Sequence, residues 1–158
     1  MEKYLEVKQS LNGQGIFALK KFLKDEVVFE VKGELITCNE DDEMDERIRD
    51  NALRFDEDNY ISPEGEMGDY LNHSCDPNVG VIKHSNKLFI IAIRDIFEGE
   101  EICFDYSTNL GADDVWRMPC LCGSEGCRKI VKKFKNLPKT LQEKYISLEI
   151  VPSYILKK

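Results

Sequence analysis

The segment LNHSCDPNVG, Leu71–Gly80, places one cysteine, Cys75, inside a run of turn-forming polar residues. Asn, Asp, Ser and Pro are typical of turns and loops and are uncommon in the interior of helices and strands. The nearest other cysteine in the sequence is Cys103. The segment therefore predicts a loop in which Cys75 is available to contact a distant part of the chain.

The other cysteines suggest what Cys75 contacts. The chain contains six: Cys38, Cys75, Cys103, Cys120, Cys122 and Cys127. The last three have the spacing C-x-C-x4-C, and a structural zinc ion takes four ligands in a tetrahedron. Cys75 is the predicted fourth ligand of one structural Zn²⁺, because Cys38 and Cys103 lie in or beside apolar segments. The alternative is that all four are free thiols, three of them exposed to oxidation.

Composition limits the fold and the partners. The chain has 158 residues, 42% hydrophobic and 33% charged, which predicts one soluble globular domain with a short appendage. It has no apolar run long enough to span a bilayer, and its first ten residues lack the apolar core of a secretory signal. We therefore expect an intracellular protein in a reducing compartment, cytoplasmic, or nuclear in a eukaryote, with no membrane partner.

Charge indicates the kind of partner. The formal net charge of −8 favours a basic protein or peptide and disfavours nucleic acid as the main partner. The local basic run RKIVKKFK, 128–135, could contact nucleic acid or simply be a solvated face. The sequence leaves the oligomeric state open.

Local patterns predict short strands and two helices. Strands are expected at Ile16–Leu19, Val27–Val31 and Ile102–Tyr106, and a hairpin is expected to turn at Ser85–Asn86. Thr37 and Glu40 have the spacing of a capping box at the start of a helix that extends to Ala52. After the break at Leu137–Pro138, Thr140 and Glu143 could cap a short terminal helix.

Five segments occur in the order found in one enzyme family. They are GQGIFA (13–18), GELI (33–36), NHSCDPN (72–78), GEEICFDY (99–106) and CLCGSEGCR (120–128). Together they resemble SET-domain protein-lysine methyltransferases that carry a post-SET zinc segment, of the small stand-alone type without a pre-SET region. The resemblance covers nearly all of residues 1–136.

The resemblance implies a fold and a division of the chain. The fold is mostly β, in the α+β class, with several small sheets, a knot-like passage of the C-terminal strand through a loop, and few short helices. Residues 1–117 correspond to the SET domain and 118–136 to the post-SET zinc segment. Residues 137–158 are a C-terminal tail in which we expect a short helix.

The resemblance also implies a reaction. Enzymes of this family transfer a methyl group from S-adenosylmethionine to the side-chain amine of a lysine in a protein, such as a histone or another basic protein. A lysine attacks a methyl group only as the neutral amine, so the protein must supply a dry, aligned channel. Tyr106, which ends the FDY motif, corresponds to the catalytic tyrosine; the alternative is a tyrosine that only ends a strand.

Other site residues follow from the same resemblance. The residues that correspond to cofactor contacts are Gly13, Gln14, Gly15, Ile16, Tyr60, Asn72, His73 and Tyr106. Outside this context, Tyr60 would be a plain strand aromatic and the Asn-His pair a turn. If zinc joins Cys75 to the tail, it closes one side of the channel beside Asn72 and His73, near Arg128 and Ile130.

Phe104 is the residue predicted to affect the product. Relatives with Phe at this position have room for a methylated amine, which predicts di- or trimethylation. Two positions depart from common relatives: Leu53 stands where another active-site Tyr is usual, and Asp69 stands where Arg is usual. Acidic residues at 40–46 and 56–58 suit a basic substrate, or are a solvated face.

Two functions of other classes stay open. One is a non-catalytic SET module that binds a basic peptide without turnover. The other is a zinc-bearing interaction protein, in which the glycine-rich loop at Gly13 has no cofactor role.

Overall fold

The computed structural model describes residues 2–37, 50–111 and 117–157, and the fold over these ranges is mostly β. The strands are β1 (Leu5–Ser10), β2 (Gly13–Ala18), β3 (Val27–Val31), β4 (Glu34–Thr37), β5 (Leu53–Arg54), β6 (Asn59–Ser62), β7 (Asn72–His73), β8 (Val79–His84), β9 (Lys87–Ala92), β10 (Glu101–Phe104), β11 (Met118–Pro119) and β12 (Ile130–Val131). The helices are α1 (Lys139–Ser147) and α2 (Ser153–Leu156), with short 3₁₀ turns at Glu2–Tyr4, Met67–Tyr70, Tyr106–Asn109 and Phe134–Asn136.

The strands form four small sheets. The first has the strand order β1-β2-β10-β7, the second β3-β9-β8, the third β4-β6-β5, and the fourth pairs β11 with β12. In the first sheet β10 pairs antiparallel with β2 and parallel with β7. This sheet therefore brings together three segments that are far apart in the sequence.

The predicted hairpin and the predicted strand β3 are confirmed. β8 and β9 pair in register from Val79↔Ala92 to His84↔Lys87, and the turn consists of Ser85 and Asn86. Their φ angles are 46° and 64°, as a two-residue turn with both residues in the left-handed region requires. Asn tolerates this region better than most residues do, which is why the turn was visible in the sequence.

The predicted strand Ile102–Tyr106 is too long. β10 ends at Phe104, because the side chain of Asp105 accepts a hydrogen bond from the Ser107 backbone N–H and starts a 3₁₀ turn at Tyr106. The apolar pattern continues through Tyr106, so the pattern alone does not mark this end. Tyr106 consequently lies in a turn just beyond the strand rather than within it.

The two helix predictions have different outcomes. The helix expected after Thr37 falls largely on residues 38–49, outside the described residues, although Asp50 and Asn51 are helical. In the tail, α1 begins at Lys139 with Pro138 at its N-cap and no side-chain capping bond, so the predicted cap by Thr140 and Glu143 is wrong. The fixed φ of proline is compatible with a helix start and replaces that cap.

The C-terminal tail covers one face of the second sheet. Phe134, Leu137, Tyr145, Ile150 and Ile155 form a buried cluster, against which Ile82 of β8 and Ile91 of β9 pack. A Cβ atom at Gly80 would overlap the side chain of Ile150, so the close approach of the tail depends on glycine. None of the helices in the described ranges has the length and apolar character needed to cross a membrane.

Candidate active site and cysteine centre

The first sheet positions the proposed catalytic tyrosine beside the asparagine-histidine pair. The parallel pairing of β10 with β7 sets Cys103 opposite Asn72 and Phe104 opposite His73. Parallel pairing between segments this far apart leaves no signal in the sequence pattern. Tyr106 follows directly, at the end of β10.

Tyr106 is held by three contacts. Its hydroxyl donates a hydrogen bond to the backbone oxygen of Leu71 at 2.7 Å. Its ring lies 4.8 Å from the ring of Phe104 and 5.2 Å, edge to face, from that of His73. Burial raises the pKa of the phenol above its usual value, so the hydroxyl stays protonated at neutral pH. The structure therefore presents a fixed, neutral O–H group.

Asn72 is oriented by two acceptors. Its Nδ2 donates to the backbone oxygen of Gln14 at 2.9 Å and to Oε1 of Glu101 at 2.8 Å. An amide nitrogen carries only two protons, and both protons of Asn72 Nδ2 are donated to these two acceptors. The Asn72 side chain can therefore offer a ligand only its amide oxygen, as an acceptor. Glu101, whose Oε2 also accepts from the Ser10 hydroxyl at 3.1 Å, is a site residue that motif comparison did not single out.

The glycine-rich segment forms part of strand β2 instead of a free loop. Gly13 has φ 91° and is exposed, as is Gln14, whereas Gly15 and Ile16 are buried. Ile16 is fully buried in the main core, so its side chain is not exposed at this site and its predicted cofactor contact stays a prediction for its backbone. A Cβ atom at Gly15 would overlap the Glu101 carboxylate and lie 3.0 Å from Asn72 Nδ2.

Gly15→Ala is expected to break the Asn72–Glu101 pair and to weaken cofactor binding by at least about tenfold, since two oriented polar groups lose their partners. The measurement is calorimetric titration with S-adenosylmethionine. Gly126→Ala is the matched control, because a Cβ there meets no atom within 4 Å. Equal affinity in the two variants would contradict this role for Gly15.

His73 uses both ring nitrogens inside the protein. Its Nδ1 accepts a hydrogen bond from the Tyr106 backbone N–H at 3.1 Å, so the proton of the neutral ring lies on Nε2, which faces Cys75 Sγ at 3.3 Å. Burial lowers the pKa of His73 to about 4, although the charge of Asp105 opposes this. The His73 ring bridges Tyr106 and the cysteine centre, which leaves the backbone of His73 for a ligand, and its predicted cofactor contact stays a prediction.

The four cysteines expected to bind zinc lie together. The sulfur atoms of Cys75, Cys120, Cys122 and Cys127 are all within 4.8 Å of one another. Cys75 Sγ and Cys120 Sγ are 3.7 Å apart, too far for a disulfide and close to the ~3.8 Å edge of a tetrahedron with ~2.3 Å zinc–sulfur bonds. The geometry therefore fits one four-coordinate metal ion bound by thiolates.

The protein environment of these thiols is uneven. Burial raises the pKa of Cys75 and of Cys120. Burial would also raise the pKa of Cys122, but hydrogen bonds with Ser124 and other neighbours lower it to about 6. The Arg128 backbone N–H donates to Cys75 Sγ at 3.4 Å, which stabilises a thiolate at that position.

Asp105 connects the site to the C-terminal helix. Only 1% of this residue is exposed. Its Oδ1 accepts from Arg128 Nη2 at 2.8 Å and from the Ser107 N–H at 3.0 Å, and its Oδ2 accepts from the Tyr145 hydroxyl at 2.9 Å. Tyr145 lies on α1 and is fully buried. Asp105, the residue before Tyr106, is thus fixed by Tyr145, which lies 17 residues beyond the last of the five motifs, and no sequence pattern predicts this link.

Tyr145→Phe is expected to destabilise the protein by about 1–3 kcal/mol, because it leaves a buried carboxylate oxygen without its hydrogen-bond donor. The measurement is the free energy of unfolding in denaturant. Tyr4→Phe is the matched control, since Tyr4 is 40% exposed. A loss no larger than that of the control would contradict a stabilising Tyr145–Asp105 bond.

The remaining predicted residues lie in other surroundings. Phe104 is 3% exposed and packs in the main core beside Tyr106. Tyr60 lies on β6 of the third sheet, where its hydroxyl accepts a hydrogen bond from Arg54 Nη1 at 2.9 Å. Leu53, on the neighbouring β5, is buried. The structure thus does not place Tyr60 in the sheet that contains Asn72, and the cofactor contact of Tyr60 stays a prediction.

Comparisons with known proteins agree with this geometry. A family model described as SET domain matches residues 13–107. A histone-lysine N-methyltransferase, H3 lysine-4 specific, of Schizosaccharomyces pombe is 36% identical over 126 residues, which are 72% of this chain and 13% of that protein. The corresponding protein of Cryptococcus neoformans is 32% identical over 133 residues, 77% of this chain and 9% of that protein.

Two human proteins are also similar to this chain. Histone-lysine N-methyltransferase SETD1B of Homo sapiens is 33% identical over 133 residues, 77% of this chain and 7% of that protein. The chain therefore spans between 7% and 13% of the length of these curated relatives. The methyltransferase domain of human SETMAR has a similar structure, with a TM-score of 0.66 and 27% identity, over 82% of this chain and 58% of that one.

Proposed function

The chain belongs to the SET domain family, and from this premise we propose that it transfers a methyl group from S-adenosylmethionine to the side-chain amine of a lysine in a protein substrate. The observation that carries the proposal is that the sheet formed by β2, β10 and β7 brings Asn72 to the Gln14–Gly15 backbone, while Tyr106, in the turn just after β10, bonds to Leu71 beside Asn72. These are the residues that correspond to the family's catalytic tyrosine and cofactor contacts.

The chemistry limits the surroundings in which these residues can act. S-adenosylmethionine supplies the methyl group as an electrophile on a positively charged sulfur. The lysine must arrive as a neutral amine. Water and other charged groups must therefore be kept away from the line that joins the amine nitrogen, the methyl carbon and the sulfur. Tyr106 meets part of this demand, since its protonated hydroxyl and the Leu71 carbonyl are fixed dipoles in a half-buried setting.

Asn72 is proposed to bind the amino-acid end of the cofactor. Its amide oxygen is the atom left for a ligand, and an oxygen acceptor suits an ammonium group. The backbone oxygen of Gln14 accepts the hydrogen bond from Asn72 Nδ2, so the backbone of Gln14 and Gly15 lies beside the Asn72 amide. His73 is proposed to contribute backbone atoms only, because its ring nitrogens face Tyr106 and Cys75.

Zinc is the metal proposed for the cysteine centre. Cys75, Cys120, Cys122 and Cys127 would hold it as four thiolates, a ligand set typical of structural zinc. Such a centre requires a compartment that keeps thiols reduced. Its role is to fix the tail against the loop that carries Asn72 and His73, which the His73–Cys75 and Arg128–Cys75 contacts support.

A basic protein is the proposed substrate. Two of the relatives named above, from Schizosaccharomyces pombe and Cryptococcus neoformans, carry names that specify lysine 4 of histone H3, and the chain's net charge of −8 suits a Lys- and Arg-rich tail of that kind. Asp56, Glu57 and Asp58 lie in the described part of the acidic region. The acidic residues at 40–46 lie outside the described residues.

Phe104→Tyr is expected to shift the product from di- or trimethyl-lysine to monomethyl-lysine, because an added hydroxyl beside Tyr106 takes space and holds water where a methylated amine must fit. Mass spectrometry of a lysine peptide after exhaustive reaction measures the distribution. Phe104→Leu, which adds no polar group, is the control. An unchanged distribution in the Tyr variant would show that Phe104 does not determine the product.

Transfer of labelled methyl from S-adenosylmethionine tests the proposal as a whole. The substrates are core histones, separated histone H3, and an extract of basic proteins. Label in one band identifies a substrate, and peptide mapping then locates the lysine. Cofactor binding without label in any fraction would favour the non-catalytic module, and absence of cofactor binding would favour the zinc-bearing interaction protein.

A further inference from the structure

Positive charge is concentrated in one stretch of this acidic protein. Residues 128–139 contain six Lys and Arg and no Asp or Glu, whereas the whole chain has 22 basic and 30 acidic residues. Four of these lysines are exposed, and we call them the lysine surface: Lys129, Lys132, Lys135 and Lys139. The proposed methyl transfer uses none of their side chains.

Alternating burial fixes how this stretch is presented. Val131, on β12, is fully buried, and Phe134 is 4% exposed. These two side chains anchor the segment, and the four lysines of the lysine surface are exposed to solvent. The backbone is also fixed, since the Cys120 N–H donates to the Lys129 oxygen and the Phe134 N–H to the Leu110 oxygen. The lysine surface is therefore a rigid display rather than a flexible tail.

None of the four lysines of this surface forms an ion pair with a carboxylate among the described residues. Elsewhere seven ion pairs are formed: Lys8–Glu6, Lys20–Glu26, Lys21–Asp95, Lys32–Glu2, Lys83–Asp56, Lys87–Glu30 and Lys157–Glu57. Within the described part of the chain, four lysines of one short stretch thus lack an acidic partner, which makes this surface electropositive.

We propose that the lysine surface docks on the phosphate backbone of double-stranded DNA. Four exposed ammonium groups within eleven residues of a rigid segment, without acidic partners among the described residues, suit contacts with phosphates, and such contacts are independent of base sequence. Membrane insertion would call for exposed apolar anchors, whereas Ile130 is the single large apolar side chain exposed in residues 129–139. Single-stranded nucleic acid would call for exposed aromatic side chains for stacking, and Phe134 is buried.

The position of the lysine surface indicates how docking on DNA could assist methyl transfer, and this part of the inference rests on the proposed function. Arg128, next to Lys129, donates its backbone N–H to Cys75 Sγ. The lysine surface therefore begins beside the cysteine centre. A histone-type substrate presents its basic tail beside DNA. Docking on that DNA would raise the local concentration of the tail at the channel. DNA binding itself is independent of catalysis and can be measured without it.

Fluorescence anisotropy with a labelled DNA duplex of random sequence tests the docking. For four phosphate contacts, log K should fall with log salt at a slope of about −3.6, which is roughly a 100-fold loss from about 50 to about 200 mM salt. The test variant is Lys132→Glu/Lys135→Glu/Lys139→Glu, which should lose most of the affinity and most of the slope. The control is Lys21→Glu/Lys32→Glu/Lys87→Glu, which changes the net charge equally at ion-paired lysines and should retain both.

Several results would overturn the proposal. These are no DNA binding by the wild type at low salt, equal weakening of the test and control variants, or tighter binding to phosphatidylserine vesicles or single-stranded RNA than to the duplex. Methyl transfer to a free peptide separates this proposal from the proposed function. The test variant should retain full peptide activity while it loses the advantage of a DNA-bound substrate over the free protein.

Discussion

Tyr106→Phe is expected to lower kcat for methyl transfer by at least about 100-fold, since removal of one preorganised hydroxyl from a reacting centre has an effect of this size. The hydroxyl donates to the Leu71 oxygen, and its loss also frees that carbonyl to turn. The ring contacts with Phe104 and His73 do not involve the hydroxyl, so the fold and cofactor affinity should be retained.

Steady-state kinetics with a lysine peptide measure this effect, and calorimetric titration with S-adenosylmethionine shows that the site is intact. Tyr4→Phe, which removes the hydroxyl from a tyrosine that is 40% exposed, should be indistinguishable from the wild type. If Tyr106→Phe raised KM and left kcat unchanged, Tyr106 would be a binding residue and not a catalytic one.

Cys75→Ser is expected to abolish both tight metal binding and methyl transfer. Structural zinc sites contribute on the order of 10 kcal/mol to the folding of their segments, and a serine does not replace a thiolate ligand. Cys75 is also the sulfur that His73 and the Arg128 N–H contact. Its loss therefore releases the zinc-binding segment, residues 118–136, from the loop that carries Cys75. It also removes a partner of His73, whose Nδ1 accepts the hydrogen bond from the Tyr106 backbone N–H.

Metal content by mass spectrometry of the purified protein checks this expectation. Cys103→Ser is the control, because Cys103 is half-buried and lies outside the four-sulfur group. The control should keep one equivalent of zinc, and the Cys75 variant should keep none. A full equivalent in Cys75→Ser would exclude Cys75 as a ligand and would leave the cysteine centre with three protein ligands.

Parts of this fold could be predicted because their causes are local. Asn86 at a two-residue turn and the β-branched run of β3 determine their own conformations. The cysteine centre was predictable for a different reason: a C-x-C-x4-C segment lacks one ligand, and only one other cysteine lies in a turn-rich loop. The structure brings that cysteine to the other three.

The parts that were missed depend on contacts between distant segments. The Asp105–Tyr145 bond joins residues 40 positions apart, and the tyrosine looks like any apolar residue of a helix. Glu101 reads as one acid among many until β10 and β7 are paired and its carboxylate faces Asn72. The start of α1 was misplaced because the proline that precedes it outweighs a weak capping pattern. Long-range pairing of this kind requires the folded chain.

The central claim is that this SET domain is a working lysine methyltransferase, and the most direct measurement is the mass of a lysine-rich protein before and after incubation with the enzyme and S-adenosylmethionine. The account predicts a mass gain of one or more methyl groups, each located on a lysine side chain by fragmentation and absent with Tyr106→Phe. No gain on histones or on any basic protein of the source cell, with S-adenosylmethionine binding and bound zinc both established, would contradict it.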